Sequence, residues 1–208
     1  KYNIEIEEEE LTPLQIDLSK KKEGVFLVSS YANKFFQNQL WATEEGKLIG
    51  LSYFKQRGFS EEIIKKFQLG YSPKQKNAFT KQALKDSYQE EFLDKSGLSF
   101  FNEETSTDRF KERVIFPIHN FSGKVLGFGG RALDKKNKAK YLNSPENPIY
   151  HKSKVLYGFY FAKKSISNKD NCFIVEGYTD VISIHQAGIE NVVSASGTSL
   201  SSNQINLI

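Results

Sequence analysis

Two carboxylates that follow an apolar run are the residues of this sequence best placed for chemistry. Glu176 comes directly after the run Cys172–Val175, and Asp180 follows four residues later, at the start of a helical pattern over Tyr178–Gln186. In open α/β sheets, ligands bind at the carboxyl ends of the strands, and carboxylate oxygens suit hard divalent cations. The pattern therefore indicates a metal site. Spacing alone leaves a second interpretation open, in which Asp180 only stabilises the helix N-terminus and Glu176 is a surface residue.

Polar and aromatic residues around position 141 form a second candidate site. Lys140, Tyr141 and Asn143 precede Pro145 in a loop, and Arg131 lies nine residues before Lys140. A guanidinium binds phosphate through two parallel hydrogen bonds, an ammonium group binds it as a point charge, and a tyrosine ring stacks on bases. The segment therefore favours binding of a polyphosphate or a nucleic-acid backbone, although a solvated loop with a packed tyrosine fits the same residues.

Basic residues are concentrated in the middle of the chain. Positions 111–154 hold ten Lys or Arg and three acidic residues, a net charge of +7, whereas positions 1–10 have a net charge of −4. At the start of this block, alternation predicts a strand that places Arg109, Lys111 and Arg113 on one side. A basic surface on a folded domain indicates a polyanionic partner. The alternative interpretations are a solvated lysine-rich surface and a plain edge strand.

The composition excludes several classes of protein. Cys172 is the only cysteine, so the chain has neither an internal disulfide nor a cysteine-rich zinc site. No apolar run reaches the roughly 18 residues of a membrane-spanning helix, and 17 Phe and 10 Tyr are too many for a disordered chain. His119, His151 and His185 lack the spacing of a metal site and are predicted to be surface or half-buried residues. The glycines of Gly127–Gly130 lack the Lys-Ser/Thr ending of a phosphate-binding P-loop.

Helix signals dominate the first hundred residues, and strand signals follow. Thr43 and Ser60 are predicted to cap helices over 44–57 and 61–67, after a helix that begins near Tyr31. The other predicted elements are an acidic strand or tail over 4–10, a helix end at 70–73, two short helices over 78–95, a hairpin of 114–118 with 125–131, a helix over 156–164, and strands over 172–175 (buried) and 191–195 joined by a helix. The last three elements form a βαβ unit, which requires a parallel sheet.

Five motifs in a fixed order are similar to the catalytic core of bacterial DnaG-type DNA primases. They are Arg-Phe-Lys-Glu-Arg-Val-Ile-Phe-Pro-Ile (109–118), Gly-Phe-Gly-Gly-Arg (127–131), Lys-Tyr-Leu-Asn-Ser-Pro-Glu (140–146), Leu-Tyr-Gly (156–158) and Val-Glu-Gly-Tyr-Thr-Asp-Val (175–181). An earlier segment, Tyr-Phe-Lys-Gln-Arg-Gly-Phe (53–59) with Phe67, Gly70 and Tyr71, resembles the helical region of the same family. The resemblance covers roughly residues 31–208, and motifs in this order at matching distances are far more specific than any single motif.

The resemblance implies a fold and a set of site residues. The fold would be an α+β N-terminal basic subdomain over 1–150, followed over 151–208 by the first part of an α/β TOPRIM domain, a parallel-sheet fold shared with topoisomerases. Glu176 would be the general base or a metal ligand, and Asp180 a metal ligand, at a site for Mg²⁺ or Mn²⁺. The residues that would bind nucleotide or nucleic acid are Arg57, Arg109, Arg113, Arg131, Lys140, Tyr141 and Asn143.

The resemblance also implies an activity and partners. The activity is template-directed synthesis of short RNA primers during DNA replication, by nucleotidyl transfer from ribonucleoside triphosphates. The partners would be a single-stranded DNA template, an RNA–DNA primer hybrid and, through a further C-terminal domain, the replicative helicase. Zinc would belong to an upstream domain, and the setting would be the cytoplasm near the nucleoid, without a membrane.

The ends of the sequence lead to a further expectation. The chain starts at Lys1 and contains no Met, so we expect a fragment whose own start is missing. The resemblance implies that this fragment ends inside the TOPRIM domain, before the family's Asp-x-Asp motif. Such a fragment would bind metal weakly or not at all and would make no primers by itself. Two alternatives remain open: another TOPRIM protein, either a topoisomerase or a nuclease, and a catalytically silent module that binds single-stranded DNA.

Overall fold

The computed structural model describes residues 12–134, 137, 139–197 and 199–208, so the acidic segment 4–10, predicted as a strand or tail, lies outside the described residues. The helices of the described part are α1 (Pro13–Ala42), α2 (Ser52–Gln56), α3 (Glu61–Lys66), α4 (Ala78–Lys85), α5 (Glu90–Lys95), α6 (Phe159–Lys169), α7 (Tyr178–Gln186) and α8 (Ser202–Ile205). None of these helices is long and apolar enough to cross a membrane. The strands are β1 (Gly70–Ser72), β2 (Ser99–Phe101), β3 (Ser106–Asp108), β4 (Arg113–His119), β5 (Val125–Ala132), β6 (Tyr141–Asn143), β7 (Phe173–Val175) and β8 (Val192–Ser194).

The N-terminal helices begin at residues with capping side chains. Thr43 Oγ1 accepts a hydrogen bond from the first turn of the next helical segment, and Ser60 Oγ accepts one from Ile63 N at the start of α3, which confirms both predicted caps. The helix predicted to begin near Tyr31 begins much earlier, at Pro13. Its start is fixed by Thr12, whose side chain forms a capping box with the first turn.

A π-helical turn interrupts the helix predicted over 44–57. The segment Gly46–Leu51 is wound with the wider π spacing, and α2 continues from it. A Cβ atom at Gly46 would overlap the Gln39 carbonyl of α1, so the turn lies directly on α1. Because a π turn shifts all later residues around the helix axis, it sets the direction in which the side chains of α2 point.

A four-stranded antiparallel sheet in the order β1-β4-β5-β6 forms the centre of the N-terminal part. The predicted hairpin supplies its two middle strands, β4 and β5, and is confirmed. The residues predicted only to end a helix form β1 instead, because Gly70 pairs with Ile115 of β4. On the opposite side, β6 pairs with β5, and this register places Arg131 opposite Tyr141.

Two parallel strands and the helix between them form the C-terminal part. The strands β7 and β8 are parallel and α7 connects them, which confirms the predicted βαβ unit. The prediction of a buried β7 is wrong: Phe173 and Ile174 are 53% and 49% exposed, because the described residues supply a partner strand but no element over these side chains. The preceding helix, α6, begins at Phe159 and not at 156, since Gly158 adopts a left-handed φ of 83° before it.

One hydrophobic core joins the antiparallel sheet to the βαβ unit. It contains Phe54 of α2 and Phe116 of β4 together with Tyr178 and Ile182 of α7 and Val192 of β8, all buried. The Phe116 and Tyr178 rings are stacked, with centroids 5.3 Å apart and planes at 19°. Because α7 packs against the sheet in this way, the residues of its first turn are held close to β5 and β6.

Candidate active site and nucleic-acid interface

The two carboxylates predicted as a pair lie on one cavity. Glu176 follows β7, and its carbonyl oxygen accepts a hydrogen bond from Ser194 Oγ of β8 at 2.8 Å. Asp180 lies in the first turn of α7, where its Oδ2 accepts a hydrogen bond from Gly177 N at 3.1 Å. Both side chains line a cavity of about 330 Å³. The second oxygen of Asp180 and the Glu176 carboxylate are therefore placed to bind a ligand in this cavity.

Residues of the antiparallel sheet form the opposite wall of this cavity. Tyr141 and Asn143 of β6 line it together with the two carboxylates. Asn143 is held from both sides: its Oδ1 accepts a hydrogen bond from Tyr178 Oη at 2.7 Å, and its carbonyl accepts one from Arg109 Nε at 3.1 Å. Tyr141 is 41% exposed. The cavity thus joins the acidic βαβ unit to the polar segment that the sequence marked as a second candidate site.

Two arginines and two tyrosines alternate in a ladder that leads away from the cavity. Arg131 Nη1 donates a hydrogen bond to Tyr141 Oη at 2.6 Å, and the Arg131 guanidinium also lies 5.2 Å from the Tyr53 ring centroid. The Arg57 guanidinium lies 5.6 Å from the same Tyr53 ring centroid. These distances are in the range of cation–π contacts. We call Arg57, Tyr53, Arg131 and Tyr141 the arginine–tyrosine ladder.

Tyr53 is the member of the ladder that the sequence prediction missed. It stands in one of the family-like motifs but was not assigned to the site. Tyr53 and Arg57 are four residues apart, a spacing at which helical side chains are neighbours, and this signal was present in the sequence. The contact with Arg131 was not, because it joins α2 to β5 across the fold.

Arg109 and Arg113 have mainly structural contacts. The predicted strand through both residues is wrong: residues 109–112 form a turn between β3 and β4, in which Glu112 has a φ of 59°. Arg113 is 5% exposed, and its Nη1 donates hydrogen bonds to the carbonyls of Ala139 at 2.9 Å and of Gly130 and Lys140 at 3.4 Å. Burial lowers the pKa of the Arg113 guanidinium.

Two glycines of β5 make room for these side chains. A Cβ atom at Gly129 would overlap the Tyr178 ring, and one at Gly130 would overlap Phe110 and touch Arg113. The glycine-rich segment is therefore required by close side-chain packing.

Lys140, which precedes β6, is exposed and its carbonyl accepts a hydrogen bond from Ala132 N at 2.9 Å. The neighbouring Lys135, Lys136 and Lys138 of the basic block lie outside the described residues.

The histidines differ from the prediction of surface or half-buried residues. His119 and His185 are 6% and 4% exposed, and only His151 is exposed. His119 Nε2 donates a hydrogen bond to Gln68 Oε1 at 3.1 Å. Burial lowers the pKa of His119 to about 4 and also lowers that of His185, so that both imidazoles are neutral near pH 7. The apolar packing around β4 and α7 explains the burial, which local sequence does not reveal.

The donor set of the cavity suits a hard divalent cation. Within the described residues, no three His, Cys, Asp or Glu side chains are grouped closely enough to form a metal site. Glu176 and Asp180 nevertheless provide carboxylate oxygens on one cavity, and Mg²⁺ is typically bound by one or two carboxylates while it keeps several waters. The residues present therefore fit a hydrated cation of this kind.

Comparison with known proteins gives the same family for both parts of the chain. A family model described as the DNA primase catalytic core, N-terminal domain, matches residues 35–163, and a Toprim domain model matches residues 170–208. A DNA primase of Halalkalibacterium halodurans is 42% identical over 192 residues, which are 91% of this chain and 32% of that protein. A DNA primase of Legionella pneumophila is 38% identical over 189 residues, with the same coverage of 91% and 32%. The chain thus spans about a third of the length of these relatives.

Solved structures agree with this assignment. The RNA polymerase domain of Mycobacterium tuberculosis primase DnaG is 31% identical, with a TM-score of 0.84 over 89% of this chain and 60% of that chain. A DnaG primase catalytic domain bound to single-stranded DNA is 34% identical, with a TM-score of 0.83 over 91% of this chain and 58% of that chain. The primase model accounts for the motifs outside the Toprim segment, which the topoisomerase and nuclease alternative left unexplained, and it matches more than half of the sequence. The chain therefore belongs to the family of the DnaG-type DNA primase catalytic core, with an N-terminal mixed α/β part and the beginning of a Toprim fold.

Proposed function

We propose that the protein synthesises short RNA primers on single-stranded DNA by nucleotidyl transfer from ribonucleoside triphosphates. The observation that carries this proposal is the junction of two sites: the cavity lined by Glu176 and Asp180 is continuous, through Tyr141, with the arginine–tyrosine ladder. Phosphate-binding side chains next to paired carboxylates suit a reaction at a nucleotide phosphate. The family match and the single-stranded DNA bound by the similar DnaG domain support the same function.

The acidic residues have distinct tasks in this proposal. Asp180, fixed at the helix start by its hydrogen bond to Gly177 N, is a metal ligand. Glu176 is either a second metal ligand or the base that accepts the proton of the attacking 3′-hydroxyl. A bound Mg²⁺ or Mn²⁺ would neutralise phosphate charge and orient the reacting oxygens.

The basic and aromatic residues bind and orient the substrates. Arg57 and Arg131 present guanidinium groups to phosphates, Lys140 adds an exposed ammonium group, and Tyr141 offers a partly exposed ring for stacking on a base. Asn143 offers its side-chain amide to a nucleotide. Of the two remaining predicted residues, Arg109 positions Asn143 through the carbonyl hydrogen bond, and Arg113 positions the segment before β6.

The proposal includes the wider assignments that the resemblance implied. The basic N-terminal subdomain extends over residues 1–150 and the TOPRIM part over 151–208. The ligands are the single-stranded template, ribonucleoside triphosphates and the RNA–DNA primer hybrid, and the replicative helicase is a partner of the whole protein. Primer synthesis takes place in the cytoplasm at the nucleoid.

Primer synthesis tests the proposal directly. In the protein of full natural length, with single-stranded DNA, ribonucleoside triphosphates and Mg²⁺, Glu176→Gln should reduce primer synthesis by at least about 100-fold and leave DNA binding within twofold of wild type. Glu103→Gln changes an exposed carboxylate that is distant from Glu176 in the sequence, and it should have no effect on primer synthesis. DNA binding without synthesis by the wild-type protein would favour a silent binding module, and full activity of Glu176→Gln would contradict the role of the carboxylate.

A further inference from the structure

The side chain of Gln186 joins the end of α7 to the turn between α2 and α3. Gln186 Nε2 donates a hydrogen bond to the Gly58 carbonyl at 2.8 Å. Its Oε1 accepts a hydrogen bond from Ser60 N, also at 2.8 Å. The side-chain amide thus pairs with the backbone on both sides of Phe59. This pairing needs a donor and an acceptor at the end of one side chain of this length.

The turn that Gln186 holds immediately follows Arg57. Gly58 ends α2 with a left-handed φ of 79°, a conformation that glycine adopts at little cost. Phe59 is 4% exposed and stacks on Phe54, so that the turn is fixed on its inner side by packing. Gln186 fixes the same turn from the side of the βαβ unit.

The helix that bears Gln186 also bears Asp180. Asp180 lies in the first turn of α7 and Gln186 is its last residue. The two ends of one short helix therefore contact the two ends of the proposed site: the metal cavity at Asp180 and the turn after Arg57 at Gln186. A rigid helix between these contacts sets the separation of the metal cavity from the outermost guanidinium of the ladder.

A second contact, an exposed ion pair, joins α3 to the segment that follows α7. Lys66 Nζ of α3 forms an ion pair with Glu190 Oε1 at 3.1 Å, and both side chains are 44–49% exposed. Exposed ion pairs contribute little to stability. Lys66 is also at the far end of α3 from the Arg57 turn, so the ion pair provides a matched control for loss of contact between α3 and the segment after α7.

We propose that Gln186 is a positioning residue that fixes Arg57 relative to Asp180 and so determines the affinity for the triphosphate of the incoming nucleotide. The proposal rests on the proposed function, since it assigns the Arg57 guanidinium to a nucleotide phosphate. Gln186 acts through the backbone of residues 58–60, without contact to the substrate. Its effect on nucleotide affinity must therefore depend on Arg57.

A double-mutant cycle on triphosphate binding tests this. The affinity of the protein of full natural length for a fluorescent, non-hydrolysable ribonucleoside triphosphate with Mg²⁺ is measured for wild type, Gln186→Met, Arg57→Ala and the double variant. We expect about fivefold to tenfold weaker binding for each single variant and no further loss in the double variant, because residues that act as a unit are not additive. Gln186→Glu, which keeps the acceptor for Ser60 N and loses the donor for Gly58, should give an intermediate affinity, and Lys66→Ala should bind as wild type does.

The outcomes separate this inference from the proposed function. Wild-type affinity of Gln186→Met together with weak binding by Arg57→Ala would overturn the inference alone. Additive losses in the double variant would do the same, since they would mean that Gln186 does not act through Arg57. Failure of the wild-type protein of full natural length to bind the triphosphate would overturn the proposed function and this inference with it. A melting temperature measured for each variant shows whether Gln186→Met is folded, and Gln186→Glu carries the test if it is not.

Discussion

The hydroxyl of Tyr178 donates a 2.7 Å hydrogen bond to Asn143 Oδ1, and this bond connects the Toprim helix α7 to the last strand of the antiparallel sheet. Tyr178 is 3% exposed and its ring occupies the space left by the missing side chain of Gly129. In the register of β5 and β6, Gly129 lies directly opposite Asn143. The two parts of the site are therefore connected by a buried, uncharged residue that also lines the cavity.

Tyr178→Phe removes this bond and leaves the ring in place. We expect the free energy of unfolding to change by no more than about 1 kcal/mol, while affinity for a ribonucleoside triphosphate falls about threefold to tenfold because Asn143 is no longer oriented. Urea unfolding and a nucleotide titration measure the two effects. Tyr157→Phe is the matched control: Tyr157 contacts the Tyr178 ring, and its buried hydroxyl has no hydrogen-bond partner among the described residues. Equal nucleotide affinities for wild type and Tyr178→Phe would contradict the positioning of Asn143.

The Tyr53 ring lies within cation–π distance of two guanidinium groups, those of Arg57 and Arg131. Tyr53→Leu should weaken binding of single-stranded DNA about fivefold, because each cation–π contact contributes roughly 0.5–1 kcal/mol to holding an arginine in place. Tyr53→Phe keeps the aromatic ring and should bind within twofold of wild type. Fluorescence anisotropy at fixed salt measures both variants. If the phenylalanine variant lost as much affinity as the leucine variant, the hydroxyl and not the ring would be responsible.

The basic surface predicts how DNA binding depends on salt. Neutralisation of phosphates on single-stranded DNA gives a log–log slope of about −0.7 for each phosphate contacted. Arg131→Ala combined with Lys140→Ala should therefore flatten the slope by roughly 1.4 and weaken binding at low salt. Lys20 of α1 and Lys85 of α4 are exposed lysines on helices that carry no ladder residue, and replacing both by Ala should leave the slope unchanged. A slope that is the same in all three proteins would show that Arg131 and Lys140 do not contact the phosphates.

Protonation of His119 should destabilise the fold at acidic pH. Burial lowers the pKa of His119 from 6.5 to about 4, so between these values the unfolded chain binds a proton that the folded chain does not. The contribution of His119 to the free energy of unfolding is therefore full above pH 6.5. It is lost as the pH drops towards 4, and the loss amounts to up to roughly 3 kcal/mol. Urea unfolding between pH 7.5 and 4.5 should show a steeper loss for wild type than for His119→Gln. The variant keeps a smaller slope because the pKa of buried His185 is lowered too; identical slopes would contradict the contribution of His119.

Elements defined by neighbouring residues were predictable from the sequence. The caps at Thr43 and Ser60, the hairpin of β4 and β5 and the βαβ unit depend on local turn chemistry and on apolar runs. The three-residue strand β1 was not predictable, because it exists only through its pairing with β4. The burial of His119 is likewise a property of the packed fold, and the exposure of Phe173 depends on what covers β7.

The candidate site divides in the same way. Glu176 and Asp180 are close in sequence, so a strand–helix turn between them was sufficient to place both on one cavity. For Arg113, charge alone did not predict the contacts of the side chain. An arginine in a basic segment indicates phosphate binding, but here the guanidinium donates its hydrogen bonds to three backbone carbonyls. Tyr53 and Gln186 were missed because their partners, Arg131 and the turn at Gly58, lie far away in sequence.

The π-helical turn at Gly46–Leu51 holds one residue more than an α-helix needs for nearly the same rotation. Because the π spacing is wider, its six residues advance the chain around the helix axis about as far as five α-helical residues at about 100° each. Loss of a single residue from this turn would therefore restore ordinary α-helical winding and leave Tyr53 directed towards Arg131. A deletion within α2 has no such reserve and would rotate the later side chains by about 100°. Among proteins that share this ladder, single-residue deletions should therefore be tolerated in the turn and rare in α2.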